Sequence, residues 1–486
     1  MFSMPFFRRR PTRDRHAECS SAPAPREWPP AARSACRALV VGAWLCACST
    51  GQRAPLADGG SAAAGVRADA AGIRPERPPP DPQALDAATV LERGAFVRAV
   101  LSRNPSIDSA RSAFRAALAR IRQTGTFEDP MVEVGLAPLS VASSEVSFGY
   151  EVAVSQKLPW FGKRALESAA ATAEARAARA DFESVRRELA LTAVTLYEKY
   201  FVSSRSLAIN SQHIALMQAM RAAAVAQFAS GRGSAQDALQ AEAELTHMEH
   251  DAVMLATERD VTLAQMNELL HRAPERPLPP PPAELALPPA PDASGTHLQV
   301  EAIERRPDIV SAREHARAEQ ARSERAERDA YPDFTLSTSY NSMWDMPQHR
   351  WMVGVGLNLP LQSAGRAGAA DEARAMRAQF ESEVLRLSDA ARTQIFVSLR
   401  QLKESLHIIE LYEKRLLPVA RQQIDAARVG FASFQNAFSA LIDAERNLRR
   451  VELDYQLARA AYGLRRAELE RALGRVPALD EKGAQR

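Results

Sequence analysis

Two things are missing from this chain of 486 residues: a long apolar run, and any cysteine beyond residue 48. A helix that crosses a bilayer needs roughly 18 to 20 consecutive apolar residues. No stretch approaches that length, which excludes helical membrane spans. Cys19, Cys36, Cys46 and Cys48 all stand near the start, so the rest of the chain holds no disulfide framework and no cysteine-based metal site. There is no Gly-rich phosphate loop, no nucleophile elbow and no carboxylate pair in a catalytic context. The residues therefore support no enzyme, no catalytic group and no cofactor. The formal charge of +3 also misleads, because residues 1–47 hold eight Arg against three acids. The remainder is close to −2, a balance that does not suit nucleic acid.

The longest apolar run near the start, Ala38 to Leu45, is too short to cross a bilayer. Arg33 and Arg37 precede it, and Leu45-Cys46-Ala47-Cys48 closes it. A basic flank, a short apolar core and small residues at the cleavage point make up a bacterial export signal. The closing four residues resemble a lipobox, which places a lipid on Cys48. Cys46 departs from the small residue usual there, and a signal cleaved in the ordinary way, or left uncleaved, is the other reading. Arg8 to Arg10 lie too far from the apolar core for a twin-arginine signal. The 36 residues ahead of the core are long for such a signal, and a mis-assigned gene start is expected.

A duplication organises the rest of the chain. Asn104-Pro105 recurs as Arg306-Pro307, Asp129-Pro130 as Tyr331-Pro332, and Leu158-Pro159 as Leu359-Pro360. Phe228-Ala229-Ser230 recurs as Phe431-Ala432-Ser433, at an offset that stays between 201 and 203. The expected organisation is a signal at 1–47, a lipidated linker at 48–86, a first repeat at 87–271 and a second at 297–473. A proline-rich connector occupies 272–296, and a tail comes last at 474–486. The proline run from Pro274 to Pro291 cannot be helical and reads as extended.

Each half predicts a helix, two strands, a long helix, a tight reversal and a returning helix. The pre-strand helices fall at 87–125 and 297–329. The long helices begin after Gly162 and Gly365 and end near Ala229 and Val429, with a kink expected at Pro418. At about 65 residues each they reach roughly 100 Å. Ile395, Leu399, Leu402, Leu406, Ile409 and Leu416 step by three and four, apart from the break at Glu413. Leu441, Leu448, Tyr455, Tyr462 and Leu469 repeat every seven. These are coiled-coil seams, which on their own would equally fit a cytoplasmic scaffold.

The strands decide between these. Val146, Phe148, Tyr150, Val152 and Val154 alternate with Ser147, Gly149, Glu151, Ala153 and Ser155. Trp351, Val353, Val355, Leu357 and Leu359 alternate with Met352, Gly354, Gly356 and Asn358. Val132, Val134 and Leu136, with Phe334, Leu336, Thr338 and Tyr340, complete four strands. This period of two suits a membrane barrel with lipid outside and water inside. Tyr150, Trp160, Phe161, Trp344 and Trp351 stand near strand ends, where aromatic girdles form. A barrel needs about eight strands and open edges cannot face lipid, so copies of the chain must combine.

Over residues 87–473 these features resemble the outer-membrane efflux (TolC-like) proteins. Ser155 to Lys163 (SQKLPWFGK) looks like that family's strand-to-helix transition, particularly in its cation-efflux branch. Phe431 to Leu448 looks like its periplasmic-tip motif. The resemblance implies a mainly α fold with transmembrane β: a long-helix coiled-coil barrel carrying four strands per protomer, and a homotrimer closing a 12-stranded barrel in outer-membrane lipid. It implies a passive exit duct joined by a periplasmic adaptor (membrane-fusion) protein to an inner-membrane efflux pump of RND type.

Family members narrow at the tip with acids three residues apart. Asp443 matches the second such position, Ala440 stands at the first, and Asp237 takes the place equivalent to Ala440 in the other repeat. Rings of Asp443 and Asp237 are the expected constriction, set against the plainer reading of solvated helix-face acids. The reversals at Gly231, Arg232 and Gly233 and at Ser433, Phe434 and Gln435 are the expected adaptor contacts. His247 and His250 find no third ligand in the sequence, so no metal site is assigned, and His213 and His407 fall in helical seams. A periplasmic adaptor also carries a lipobox and a helical hairpin, but has one hairpin flanked by soluble β domains. Cys48→Ala is predicted to abolish palmitate labelling; a wild-type protein that takes up no palmitate would remove the lipoprotein assignment.

Overall fold

The structure, a computed structural model, describes residues 88–141, 147–289, 291, 294–433 and 435–479. The export signal, Cys48, Val146 and Phe434 lie outside the described residues. The first half runs α1 (Arg93–Arg103), α2 (Pro105–Thr124), β1 (Met131–Leu136), β2 (Tyr150–Leu158), α3 (Lys163–Ala229) and α4 (Ala235–Leu269). The second runs α5 (Gly295–Arg305), α6 (Pro307–Arg328), β3 (Asp333–Asn341), β4 (Trp351–Asn358), α7 (Ser363–Leu411), α8 (Leu417–Ala432) and α9 (Phe438–Ala472). Equivalent elements begin 200 to 203 residues apart. No described helix is long and apolar enough to cross a membrane.

Local chemistry explains the element boundaries, including three that differ from expectation. Each pre-strand helix is split in two, at Pro105 and at Pro307. Proline holds the preceding residue extended, and Asn104 and Arg306 sit at ψ 125° and 126°. Asn104 then caps α2, its Oδ1 accepting from Ser106 N at 2.9 Å. Gly162 starts α3 with φ +85°, and a side chain there would run into Arg328. Its counterpart α7 starts two residues before Gly365, which is an ordinary helical residue in open space.

The third difference is at Pro418. Residues Tyr412–Leu416 form a single π turn immediately ahead of α8, a common way for a helix to accommodate a lost i→i−4 bond. The wider turn shifts the seam by one residue. Leu417, 8% exposed, takes the buried place expected of Leu416, which is 38% exposed.

Packing arranges the helices side by side. Along α3, α2 covers the upper part and α4 the lower part. On its other side lie α6 above and α9 below, and these in turn pack on α7 and α8. The seams close as the heptads require: Ile395, Leu402, Ile409, Leu441 and Leu469 are all buried. The proline-rich connector is extended, as expected, but it is also tied down. The hydroxyl of Tyr462 donates to Pro288 O at 2.5 Å, Arg459 to Leu285 O at 2.5 Å and Tyr200 to Pro279 O at 3.3 Å.

The four strands form one antiparallel sheet in the order β1-β2-β3-β4. The β2–β3 pairing joins the two repeats, with Val152 opposite Tyr340 and Val154 opposite Thr338. Val132 and Val134 face Val154 and Val152 on one side of this ladder. Leu336, Thr338 and Tyr340 face Val355, Val353 and Trp351 on the other. Since side chains alternate strictly, these residues share one face. The opposite face carries Glu133, Glu151, Ala153, Ser155, Thr335, Ser337, Ser339, Gly354 and Gly356. The expected strand starting at Val146 begins instead at Tyr150, and the alternation survives the shift. Among the described residues nothing covers the apolar face: Val132, Val353 and Val355 are 62%, 79% and 68% exposed. Val355→Lys is predicted to cost about 2–4 kcal/mol per copy at mid-membrane and to deplete membrane-embedded, heat-modifiable protein. Ser339→Lys on the other face is predicted to be tolerated; equal depletion by both would contradict this assignment of faces.

Candidate functional site: a pore wall and its tip

The polar face of the sheet runs into the helices through one buried cation. The Lys163 amine lies 2.9 Å from Asp333 Oδ1 at the foot of β3 and 3.3 Å from Asp329 at the end of α6, and donates to Tyr331 O at 3.0 Å. Asp329 also lines a groove of about 600 Å³ between α2, α3, α6 and α7. Its cations are matched by acids, most of them from neighbouring helices: Arg120 lies 3.5 Å from Glu174, Arg325 lies 2.8 Å from Glu167, and Arg322 pairs with Glu174 and with Glu319 of its own helix. Such a charge-paired surface suits standing water.

Aromatic rings mark two levels on the sheet. Tyr150, Tyr340 and Trp351 cluster at the loop end, with ring centroids 5.8 and 5.4 Å apart. At the helix end Trp160 stacks on Tyr331 at 5.2 Å and on Phe334 at 5.6 Å, beside the exposed Phe161. The nine residues of β2 between these levels span about 30 Å at 3.3 Å per residue, enough for a tilted strand to cross the hydrocarbon layer.

Both borders of the sheet are open. Within the chain β1 pairs with β2 and β4 with β3, leaving the outer edges of β1 and β4 unpaired among the described residues. Exposed apolar side chains also concentrate on the border helices, with Leu239, Val253 and Met254 on α4 and Leu385, Phe396, Val419 and Val429 on α7 and α8. Unpaired edges and bare apolar borders are what a second copy would cover.

The tip residues occupy two helix reversals. Gly231 has φ +70° in open space, where its lack of a side chain permits the turn into α4. Ser234 begins α4, and Asp237 reaches back to Ser234 N at 3.4 Å, completing a capping box. In the second reversal the Ser433 hydroxyl donates to Val429 O at 2.9 Å, and Gln435 N donates to Gly430 O at 2.8 Å. Asp443 lies in α9 with its side chain 69% exposed, 3.7 Å from Arg446.

Residues 96–271 match the model of the outer membrane efflux protein family, and the whole two-repeat chain has the fold of solved outer-membrane channels. The family match thus lies within the first repeat. The structure of CusC, described with its folding and transmembrane channel formation, aligns at TM-score 0.68 and 18% identity, covering 79% of this chain and 92% of that one. A membrane protein from Pseudomonas aeruginosa aligns at 0.67 and 19%, covering 81% and 93%. The outer membrane protein VceC of Vibrio cholerae aligns at 0.66 and 18%, covering 79% and 96%. At these identities the likeness is one of fold. No curated protein sequence matches the chain.

The family match and the channel fold together support an outer-membrane exit channel, a non-catalytic duct, over the scaffold and adaptor readings. Channels of this family are trimeric exit ducts in tripartite efflux systems. Of the expected tip residues, Asp237 and Asp443 each hold a local partner within one protomer, and the fold puts them on different hairpins, α3–α4 and α8–α9. His247 and His250 are both exposed, with buried Met248 between them. Among the described residues no three potential ligands gather around a metal position.

Sequence reading missed the charges inside the wall. Glu244 and Glu445 are 3% and 0% exposed, and Asn210 and His213 are 1% and 4%. Arg446 reaches Glu244 at 2.5 Å, and Arg449 reaches Glu244 at 3.3 Å and Asp251 at 3.4 Å. The available signal was polar residues at seam positions of both α3 and α9, which pair only once those helices are known to be neighbours.

Proposed function

We propose that three copies of this chain close a 12-stranded barrel in the bacterial outer membrane, continued by a periplasmic helical tunnel, as the exit duct of a tripartite efflux system. The observation that carries this reading is the single sheet with a bare apolar face, a polar face and two unpaired edges, which lipid, water and neighbouring copies satisfy together. The lipid on Cys48 is a second anchor beside the barrel. At the periplasmic end, Gly231, Arg232, Gly233, Ser433, Phe434 and Gln435 form the surface for a periplasmic adaptor, and an RND-type inner-membrane pump supplies the energy. Metal cations are the proposed cargo, on the likeness of Ser155 to Lys163 to the cation-efflux branch.

Asp443 is the proposed constriction acid, because its exposed carboxylate is free to face a pore while Arg446 steadies it from within the same helix. Three such carboxylates around a narrow pore favour cations. Asp237 adds a second ring and also completes the capping box of α4, so Asp237→Ala is predicted to lower stability, a loss that Asp443→Ala avoids. In planar bilayers the wild-type protein is predicted to form cation-selective pores. Asp443→Ala is predicted to reduce that selectivity. Pores unchanged by Asp443→Ala would remove the gate assignment, and a wild-type protein that conducts nothing would count against the duct itself.

A further inference from the structure

The loop between β3 and β4 carries Met343, Trp344, Met346 and His349, and Met352 follows on β4. Methionine or histidine thus stands at every third position from 343 to 352. All four of these side chains are exposed, at the end of the sheet away from the helices. Methionine differs from the other apolar residues in bringing a thioether sulfur, a soft and polarizable donor. The loop has one acid, Asp345, and one cation, Arg350.

Two of the four donors are brought together by the backbone. Residues Pro347–His349 form one turn of 3-10 helix, with His349 N donating to Met346 O at 2.9 Å. In such a turn the side chains at i and i+3 stand one above the other, so Met346 and His349 leave the loop on the same side. The Met346 sulfur accepts from Gln348 Nε2 at 4.0 Å, so it meets a polar group and not a packed core. The Trp344 ring stands against His349, with centroids 6.2 Å apart and planes at 87°. Arg350 closes the loop, its Nε donating to Trp344 O at 3.0 Å. The other two methionines are placed elsewhere. Met343 lies over Gly149, its sulfur 2.9 Å from where a side chain would begin there, and Met352 stands opposite Ser339 on the polar face.

We propose that Met346 and His349 form a binding site for a soft monovalent metal cation, Cu(I) or Ag(I), beside the ring of Trp344. A thioether paired with an imidazole selects such ions. Zn(II) takes thiolate, imidazole and carboxylate ligands instead, usually four of them. Among the described residues no three His, Cys, Asp or Glu gather around a metal position, so the loop offers a divalent cation no such cage. The indole of Trp344 adds cation–π attraction to an ion held next to it. The site deepens the cargo reading, on which this loop stands at the outer mouth of the duct, but its chemistry does not depend on that reading.

Methyl-TROSY spectra of the full-length, detergent-extracted protein, labelled at the methionine methyl groups, read each sulfur separately. Any free thiol is capped with N-ethylmaleimide beforehand, and silver nitrate is added in chloride-free buffer. Ag(I) is predicted to shift the Met346 methyl signal, identified by its loss in Met346→Leu, until the site saturates. Zn(II) is predicted to leave that signal in place. In His349→Gln the affinity read at Met346 is predicted to fall about tenfold or more, since losing even an outer partner of a metal ligand costs that much. Met343→Leu and Met352→Leu are predicted to leave it unchanged. A Met346 signal unmoved by Ag(I), one moved as readily by Zn(II), or an unchanged affinity in His349→Gln overturns the site. A protein that binds silver in this way but conducts nothing in a bilayer would count against the duct alone, because the methyl signal reads the loop whether or not the pore conducts.

Discussion

Backbone amides and carbonyls at the edge of a sheet have no water to turn to inside a bilayer, and each one left unsatisfied costs several kcal/mol. This constraint governs the rest of the molecule. The chain makes four strands, pairs them in sequence order and stops, with β1 and β4 open on their outer sides. Four strands cannot curl into a barrel by themselves. A face as apolar as Val132, Val134, Val353 and Val355 cannot rest in water over that area either. Lipid satisfies the face, and neighbouring copies satisfy the edges. Duplication serves the same end, since β2 of one repeat pairs with β3 of the other and leaves two complementary borders for assembly.

The helices solve a different problem, because a wall with water on both sides has little interior. Knobs-into-holes seams give a narrow apolar stripe, filled here by Ile395, Leu402, Leu441 and Leu469, while Arg and Glu cover the rest. Near the tip the stripe is interrupted by Asn210, His213, Glu244 and Glu445, all buried. Paired charges in such a place add less to stability than apolar residues of similar size, but breaking one partner leaves the other exposed to the full burial cost. The cap formed by Ser234 and Asp237 and the network around Glu244 place these charge-dependent contacts in the same third of the molecule, nearest the two reversals.

Much of this could be read from the residues, and the limits have physical causes. Alternation with period two needs no knowledge of neighbours, so the strands and their faces emerged from Val152, Val154, Val353 and Val355 against glycine and serine. The repeat offset and the long helices likewise depend on local pattern. Three local features were misjudged: the breaks at Pro105 and Pro307, the helical start at Ser363, and the one-residue shift at the π turn that buries Leu417 instead of Leu416. Each is a backbone adjustment whose outcome depends on how one turn redistributes its hydrogen bonds. The pairing of His213 with Glu445 was not legible, because it joins residues 232 apart through the packing of α3 on α9. The anchoring of the connector by Tyr462 and Arg459 was hidden for the same reason.

The account turns on strand edges that remain incomplete until copies meet. Mass measurement of the detergent-extracted native protein tests this most directly, by counting chains per particle after the detergent is stripped. Three chains in one particle, extractable from membranes with detergent alone, is the predicted result. A single chain that stays dissolved without detergent would contradict it.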